Sequence, residues 1–274
     1  MHCLLCDRTN LELYTQNSFF GLPILKCNAC DLYITGDSEE LVAEKIQNFY
    51  SRQFWDLRKS EDSIKSNFTD ANSQSKKRNW VSQIKYCPDL RGKTILEIGA
   101  GAGQNTFFFD QEGYNISAIE PDQRNVDLIN QKLSKSICMH GYVETFESDK
   151  KYDCIWMSHV LEHFLKPTKI LVRLKTFLNH DGFIFVEVPN CGFKENLDKT
   201  IVHQPHTFHF TKKSIMLLAQ KAGFQIIMCD CFRAASKRDG ALHKFFPHRF
   251  PHYPRIQCHD NQGKYLRIVL KIKA

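Results

Sequence analysis

Four cysteines near the N-terminus have the spacing of metal ligands. They form two Cys-x-x-Cys pairs, Cys3 with Cys6 and Cys27 with Cys30, and twenty residues separate the pairs. Each pair places two thiolates on one tight turn, and two such turns supply the four ligands of a tetrahedral zinc site. Four protein ligands leave no open position, which predicts a structural zinc ion in a small ribbon. Unmetallated thiols and a redox pair are the alternatives, although neither pair opens a helix after a core strand.

A glycine-rich segment, Thr94-Ile-Leu-Glu-Ile-Gly-Ala-Gly-Ala-Gly-Gln-Asn105, has the pattern of a buried strand that runs into a turn. Its glycines at positions 99, 101 and 103 let the backbone approach a ligand closely and open the following helix. Similar turns bind dinucleotides, but that fingerprint requires glycine where this chain has Gln104. The spacing therefore disfavours a dinucleotide.

Two carboxylates accompany this turn. Glu97 lies two residues before the first glycine, at the predicted end of the strand, where it would suit the ammonium group of an amino-acid cofactor. Glu120 ends the next strand, at the separation from Gly99 at which an acid reaches a ribose diol in such folds. Together they favour a cofactor that contains both an amino acid and a ribose.

Histidines are the candidate general bases, because the imidazole ring titrates near neutrality. Those expected at the open end of the sheet are His159, His163, His203, His206 and His209. His206 is the first choice, since it lies in a loop between the fifth strand and the next helix. His163 comes second and His159 third. These two are four residues apart, as in zinc-binding helices, but the intervening glutamate of His-Glu-x-x-His is absent.

Strand-length apolar runs alternate with amphipathic segments from residue 93 to 233, which predicts an α/β fold with a parallel sheet covered on both faces. The expected strands are Thr94–Ile98, Asn115–Ile119, Ser136–Met139, Tyr152–Met157, Phe183–Val188, Phe224–Phe232 and Tyr265–Ile272, and the expected helices include Asp122–Leu133, Pro167–Leu178 and Thr211–Ala222. Three domains are predicted: a zinc ribbon over 1–36, a helical cover over 37–90, and a cofactor-binding domain over 91–274. Residues 234–263 are expected to form a basic insertion between the last two strands.

Over roughly residues 75–232 the chain resembles the class I S-adenosylmethionine (SAM)-dependent methyltransferases, in particular the small-molecule branch that contains the ubiquinone O-methyltransferases. Besides the glycine turn, the matching segments are Tyr152-Asp-Cys-Ile-Trp-Met-Ser-His-Val-Leu-Glu-His163, Asn179-His-Asp-Gly-Phe-Ile-Phe-Val-Glu-Val-Pro-Asn190, His206-Thr-Phe-His-Phe-Thr211 and Ala222-Gly-Phe224. The resemblance implies a Rossmann-like fold with a seven-stranded, mostly parallel sheet, and SAM as the cofactor.

The same resemblance implies a set of cofactor-binding residues. They are Glu97, Gly99, Ala100, Gly101, Gly103, Asn105, Glu120, Pro121, Tyr142, Val143, Glu144, Met157, Ser158 and His159. The segment 141–144 should line the adenine pocket, and residues 157–159 should lie beside the methionine part of SAM. The family usually has an acid at position 142 where this chain has tyrosine, so Glu144 or a backbone group would have to replace it.

The expected reaction is methyl transfer to a small molecule, such as a sugar, a glycan or a natural-product precursor. Residues 233–274 contain ten Lys or Arg and two Asp, which suggests an anionic acceptor. The side chains expected to face it are Arg233, Lys237, Arg238, Lys244, Arg249 and Arg255.

An RNA methyltransferase is an alternative to this small-molecule enzyme, because the basic region is interleaved with stacking side chains. These are Phe245, Phe246, His248, Phe250 and Tyr253. The fourth strand ends in Trp-Met-Ser-His, however, and not in the Asn/Asp-Pro-Pro-aromatic motif of enzymes that methylate base amino groups. A non-catalytic SAM-binding module that docks a partner protein is the third possibility.

Composition also bears on location. No apolar run approaches the roughly 20 residues needed to span a bilayer, and the N-terminus has no signal-peptide pattern. The eleven cysteines are an odd number, which fits a reducing compartment better than a disulfide framework. A cytoplasmic protein without membrane attachment is therefore expected.

Overall fold

Two β-sheets organise the chain in a computed structural model that describes residues 2–36, 38–49, 70–135, 137–245, 255–258 and 263–273. The strands are β1 Leu11–Thr15, β2 Ile24–Cys27, β3 Tyr33–Thr35, β4 Thr94–Ile98, β5 Asn115–Glu120, β6 Ile137–His140, β7 Tyr152–Ser158, β8 Leu178–Pro189, β9 Phe208–His209, β10 Phe224–Ala234, β11 Arg255–Cys258 and β12 Tyr265–Ile272. The large sheet has the order β11-β10-β12-β8-β7-β4-β5-β6, and the small one has the order β1-β2-β3-β9.

The large sheet is parallel from β6 to β8 and antiparallel from β8 to β11. Its middle strands contain continuous apolar runs because both faces are covered, as in β7, where Cys154–Met157 is fully buried. The expected Rossmann-like, mostly parallel sheet is confirmed. One detail differs, since β11 adds an eighth strand among the described residues.

Eight helices belong to the described part of the chain, and three of them begin at clear sequence signals. They are α1 Glu39–Asn48, α2 Asp70–Ile84, α3 Gln104–Gln111, α4 Gln123–Asn130, α5 Pro167–Leu174, α6 Lys194–His203, α7 Lys212–Lys221 and α8 Lys237–Phe245. Asp122 caps α4 by accepting from the backbone of Arg124 at 2.7 Å. A proline opens α5, and Thr211 and Ser214 form a reciprocal capping box on α7.

The small sheet connects the N-terminal part of the chain with the main domain. Its first three strands lie next to the turns that hold the cysteine pairs, with Cys27 ending β2, and its fourth strand, β9, comes from the segment between α6 and α7. Cys30 and Leu32 of the N-terminal part share one buried apolar cluster with Phe208 and Phe210. The N-terminal part is therefore packed against the main domain over a continuous core, while the predicted boundary at residue 36 stays a prediction.

The expected helical cover over 37–90 is represented by α1 and α2, and residues 50–69 lie outside the described part of the chain. Trp80 of α2 packs edge-on against Phe109 of α3 at a centroid distance of 5.1 Å. The basic insertion contributes α8, which follows β10, and β11, which pairs with the end of β10. The ends of β10 and β8 lie at the same edge of the sheet, because both pair with the start of β12. None of the described helices combines the length and the apolar character that a membrane crossing requires.

Candidate functional site

The glycine turn after β4 brings the backbone into left-handed conformations at Gly99, Gly101 and Gly103, with φ of 69°, 56° and 75°. A side chain at Gly99 would collide with Val160 at 2.8 Å, and one at Gly103 would collide with Ile129 at 2.4 Å. At Gly101, by contrast, an added Cβ meets no atom within 4 Å. Two glycines are thus required by packing, and the middle one faces open space where a ligand can approach the backbone.

Glu97 lies buried beneath this turn. It accepts hydrogen bonds from the Asn105 side-chain amide at 3.1 Å and from the Thr106 hydroxyl, both in the first turn of α3. Burial raises the pKa of this carboxyl to about 7. Glu97 therefore fastens the glycine turn to the helix, and its predicted contact with an ammonium group stays a prediction.

Glu120 closes β5 beside the same turn. Its carboxylate accepts from the backbone N–H of Gly101 at 2.7 Å and from that of Asp122 at 3.2 Å, and burial raises its pKa to about 7. Strands β4 and β5 are parallel neighbours, and each has a glutamate at or near its C-terminal end. Glu97 and Glu120 therefore lie at the same edge of the sheet. This is the position at which open parallel sheets bind ligands.

The other predicted cofactor residues divide into two groups. Val143 and Met157 point into the main core, so only their backbone groups can face a ligand. Ala100 packs in a small core with Val126, and the carbonyl of Pro121 lies 3.0 Å from Nε2 of His140. The solvent-facing members are Tyr142, Glu144 and, at the end of β7, the half-buried Ser158.

His159 lies between two carboxylates at the end of β7, in a left-handed backbone conformation with φ of 58°. Its Nδ1 is 3.5 Å from Glu162 and its Nε2 is 3.4 Å from Glu187. Desolvation alone would lower the pKa of His159, but the nearby carboxylates of Glu162 and Glu187 outweigh it and raise the pKa to about 10. The ring is 41% exposed, and solvent weakens both attractions without reversing their direction. His159 is therefore a cation at neutral pH, which argues against its predicted role as a base.

Glu187, one of the two acids beside His159, also belongs to a buried ion pair. Arg267 on β12 is fully buried and donates from Nε to Glu187 at 2.6 Å, directly across the β8–β12 pairing. Gln83 of α2 donates to the other oxygen of Glu187 at 3.0 Å and lies 3.4 Å from the hydroxyl of Ser158. Helix α2 is thereby tied to the end of β7.

Two further candidate histidines lie beside Glu162. This carboxylate is 1% exposed, and neither of its oxygens accepts a hydrogen bond from the described residues. His206 is buried with its Nε2 3.9 Å from Glu162, and the His163 ring lies 4.8 Å from the His206 ring. Ligand atoms of Glu162, His163 and His206 all lie within 4.8 Å of one another.

The last two candidate histidines lie in different environments. His209 is buried, which lowers its pKa to about 3, so it stays neutral. His203 is exposed at the end of α6.

The tautomer of His163 follows from its contact. Its Nδ1 lies 3.0 Å from the carbonyl oxygen of Pro205, which can only accept, so Nδ1 carries the proton. In the neutral ring Nε2 is then the basic nitrogen. His163 is half-buried and His206 is almost fully buried, and the predicted order of these two candidates stays a prediction.

The four N-terminal cysteines converge as predicted. The sulfurs of Cys3 and Cys30 are 3.6 Å apart, those of Cys6 and Cys27 are 3.5 Å apart, and all four lie within 4.8 Å of one another. Four sulfurs at about 2.3 Å from a tetrahedral metal would be separated by about 3.8 Å, so the donor set fits a zinc ion.

Three of the six basic side chains predicted to face an anionic acceptor belong to the described part of the chain. Arg233 forms a two-pronged ion pair with Asp239 at 2.7 and 3.1 Å. Arg238 and Lys244 are exposed on α8. Arg249 and the aromatic side chains from 246 to 253 lie outside the described residues, as do the side chains of Lys237 and Arg255.

Sequence reasoning missed Glu162, Glu187, Arg267 and Gln83. Glu187 and Arg267 did carry a signal, since each is a charge flanked by apolar residues in its strand, and such charges are seldom buried without a partner. Glu162 lies in the matching segment that ends at His163, but its contact with His206 could not be foreseen, because that histidine is more than forty residues away.

Comparison with known proteins identifies the family to which the chain belongs. Residues 72–228 match the family described as the methyltransferase domain. The ubiquinone biosynthesis O-methyltransferase of Rickettsia bellii is 24% identical over 115 residues, covering 40% of this chain and 48% of that protein. The (S)-tetrahydroprotoberberine N-methyltransferase of Eschscholzia californica is 24% identical over 142 residues, covering 48% of this chain and 41% of that protein. The chain thus spans about half the length of the curated relatives it matches.

Solved structures show the same fold. A SAM-dependent methyltransferase from Thermotoga maritima, described as a possible histamine N-methyltransferase, superposes with a TM-score of 0.56 at 16% identity over 86% of this chain and 100% of its own. The plantazolicin methyltransferase BpumL, in complex with a triazolic desmethylPZN analog and S-adenosylhomocysteine (SAH), gives a TM-score of 0.55 at 17% identity, with the same two coverages. The family match over residues 72–228 and these superpositions together establish that the chain belongs to the methyltransferase domain family and has the class I SAM-dependent methyltransferase fold.

Proposed function

We propose that this protein transfers a methyl group from SAM to a small-molecule acceptor. The observation that carries the proposal is the turn after β4, where Gly101 leaves open space beside the buried carboxylate of Glu120. Such a turn allows a ligand to contact backbone N–H groups, and the neighbouring acid can accept from a ribose diol. SAM, when bound there, would supply an electrophilic methyl group on a sulfonium.

The chain's own residues would then bind and orient. Glu120 would release the Gly101 N–H and accept ribose hydroxyls, while Glu97 keeps the turn attached to α3. Ser158 and the backbone of Met157 lie at the end of β7, on the side expected for the methionine part. Methyl transfer is an in-line displacement, so alignment and exclusion of water supply much of the rate.

His163 is the base that the geometry favours for acceptors that must lose a proton. The Pro205 carbonyl fixes the proton on Nδ1, which leaves Nε2 to receive one. The buried carboxylate of Glu162, within 4.8 Å of ring nitrogens of both His163 and His206, would stabilise the imidazolium that forms. His159, already protonated, would contribute a fixed positive charge beside the acceptor space.

The acceptor class is inferred from the surface and the relatives. The relatives are named for ubiquinone biosynthesis and for a tetrahydroprotoberberine, and BpumL was solved with a desmethylPZN analog. The pairing of Arg233 with Asp239 removes one of the cations that an anionic acceptor or an RNA would use. These observations support a small organic acceptor over RNA. We further propose a structural zinc ion held by Cys3, Cys6, Cys27 and Cys30.

Isothermal titration calorimetry of the full chain with SAM tests the proposal. Gly101→Val should weaken SAM binding by more than about tenfold, equivalent to about 1.4 kcal/mol, because the new side chain fills the approach to the backbone. Gly113→Val is the matched control, since Gly113 also has a positive φ of 79° and open space around its Cβ but follows α3 at its far end. Equal SAM affinity in wild type and Gly101→Val, or no binding by wild type, would refute the proposed site.

A further inference from the structure

The N-terminal sheet is completed by a strand that leads directly out of the histidine cluster. β3 pairs with β9 in antiparallel register, with Tyr33 opposite His209 and Ile34 opposite Phe208. One residue further along, the backbone N–H of Thr35 donates to the carbonyl of Thr207 at 3.0 Å. The last strand of the cysteine-bearing module is therefore bonded to the segment that carries His206.

The side chain of Thr35 strengthens this connection. It is 2% exposed, and its hydroxyl donates to the carbonyl of His206 at 2.8 Å. The same oxygen lies 3.3 Å from Nε2 of His209. Since the single hydroxyl proton is engaged by the carbonyl, this oxygen can only accept from the His209 ring. Thr35 thus holds the backbone of one histidine and the ring of another.

The opposite side of the same segment is held by the short 3₁₀ helix Leu161–His163. Thr207 donates to the carbonyl of Glu162 twice, from its N–H at 3.0 Å and from its hydroxyl at 2.7 Å. Nδ1 of His163 donates to the carbonyl of Pro205. Residues 205–209 are therefore held between Thr35 and the 3₁₀ helix with Glu162 and His163, which together with His206 are called the acceptor side below.

We propose that Thr35 is a positioning residue for the acceptor side, through which the N-terminal module sets the orientation of the His206 and His163 rings. The inference rests on the proposed function only in what these rings are used for. Loss of the Thr35 hydroxyl would leave the His206 carbonyl buried without that donor, and the segment would shift to find another one. The shift would reach His163 through Pro205 and Glu162 through Thr207.

The test uses the full chain labelled with ¹⁵N- and ¹³C-histidine, with ring signals assigned by single histidine substitutions. Thr35→Val keeps the shape of the side chain and removes the hydroxyl, and Thr35→Ser restores the hydroxyl. We expect the ring signals of His206, His209 and His163 to shift in Thr35→Val and to return to their wild-type positions in Thr35→Ser. Thr15→Val on β1 is the control, because among the described residues the Thr15 hydroxyl takes part in one hydrogen bond, which it accepts from the backbone N–H of Asn17 at 3.2 Å.

Calorimetry separates this inference from the proposed function. SAM affinity should stay within about a factor of two of wild type in all three variants, because the glycine turn shares no contact with Thr35. Wild-type ring signals in Thr35→Val would overturn the positioning role, as would failure of Thr35→Ser to restore them. Should Thr35→Val not fold, Thr35→Ala decides by the same criteria. Ring shifts in a protein that binds no SAM would retain the positioning role and refute the methyltransferase proposal.

Discussion

The buried ion pair between Arg267 and Glu187 allows a stability effect to be estimated from the structure. Besides its bond to Glu187, Arg267 donates to the carbonyl of Ser82 at 2.9 Å, and its guanidinium lies 4.2 Å from the centroid of the Phe232 ring. Arg267→Met keeps an unbranched stem against Phe232 and removes the charge. It leaves Glu187 buried without its principal cation.

The size of the effect follows from the pKa of Glu187. Burial alone would raise this pKa, but Arg267 and then His159 lower it from 4.5 to about 2. That difference corresponds to roughly 3–4 kcal/mol for the two cations together at about 1.4 kcal/mol for each pH unit, with Arg267 as the larger contributor. It agrees with the roughly 3–5 kcal/mol lost when one partner of a buried pair is removed. For a domain of this size we expect the melting temperature to fall by about 6–12 °C.

Thermal unfolding followed by circular dichroism near neutral pH is the assay. Glu187→Gln combined with Arg267→Met should recover a large part of the loss, because no unpaired charge stays buried. Arg91→Met is the matched control, since Arg91 is 85% exposed in its pair with Asp89 and should change little. A melting temperature for Arg267→Met within about 2 °C of wild type would refute the reasoning.

The same pair gives a pH dependence with a definite sign. The folded-state pKa of Glu187 is lowered, so its contribution to stability is complete above the unfolded value and is lost as the pH falls from about 4.5 towards about 2. Arg267→Met should flatten this part of the acid-unfolding curve. An unchanged slope would show that Glu187 is not the group responsible.

Three further predictions concern the metal, the cofactor and the basic region. Cys27→Ser should abolish the copurifying zinc measured by elemental analysis while SAM affinity is largely retained, and freshly purified wild type without zinc would contradict the four-cysteine site. SAM affinity measured by calorimetry should fall as the pH is lowered through about 7, because burial raises the pKa of Glu120 to about 7 and protonation removes its charge. Identical SAM affinities at about pH 6 and about pH 8 would contradict the role of the Glu120 carboxylate in binding. RNA binding at physiological salt should be weak in filter-binding assays, and a nanomolar complex that is lost when Arg238 and Lys244 are changed together would instead favour an RNA substrate.

The strands of the main sheet could be predicted from the sequence because burial on both faces leaves continuous apolar runs. β4 and β12 begin and end at the predicted residues. β9 could not be predicted, since two residues carry no periodicity and the strand exists only because β3 offers an edge to it. β11 could not be predicted either, since it has four residues within a basic, proline-rich stretch and pairs with the edge of β10.

The site was predictable in its residue types and less so in their roles. The glycine turn and its two acids depend on local spacing, which the sequence displays directly. The role of His159 depends instead on Glu187, which β8 brings alongside, and the partner of Glu187 depends on the β8–β12 register. A sequence shows that a histidine can titrate, whereas only the assembled neighbours decide its pKa.

The pairing of β3 with β9 also constrains the order in which the molecule can be built. Ile34 meets its partner Phe208 only after some 170 further residues have been synthesised, so the third strand emerges with an open edge. Its apolar neighbour Leu32 is buried in the finished protein and would be exposed until then. Open apolar edges are sites of wrong pairing between chains. During synthesis the cysteine-bearing module is thus an aggregation hazard for as long as β9 is missing, and truncations that end before residue 208 should precipitate rather than yield a soluble N-terminal fragment.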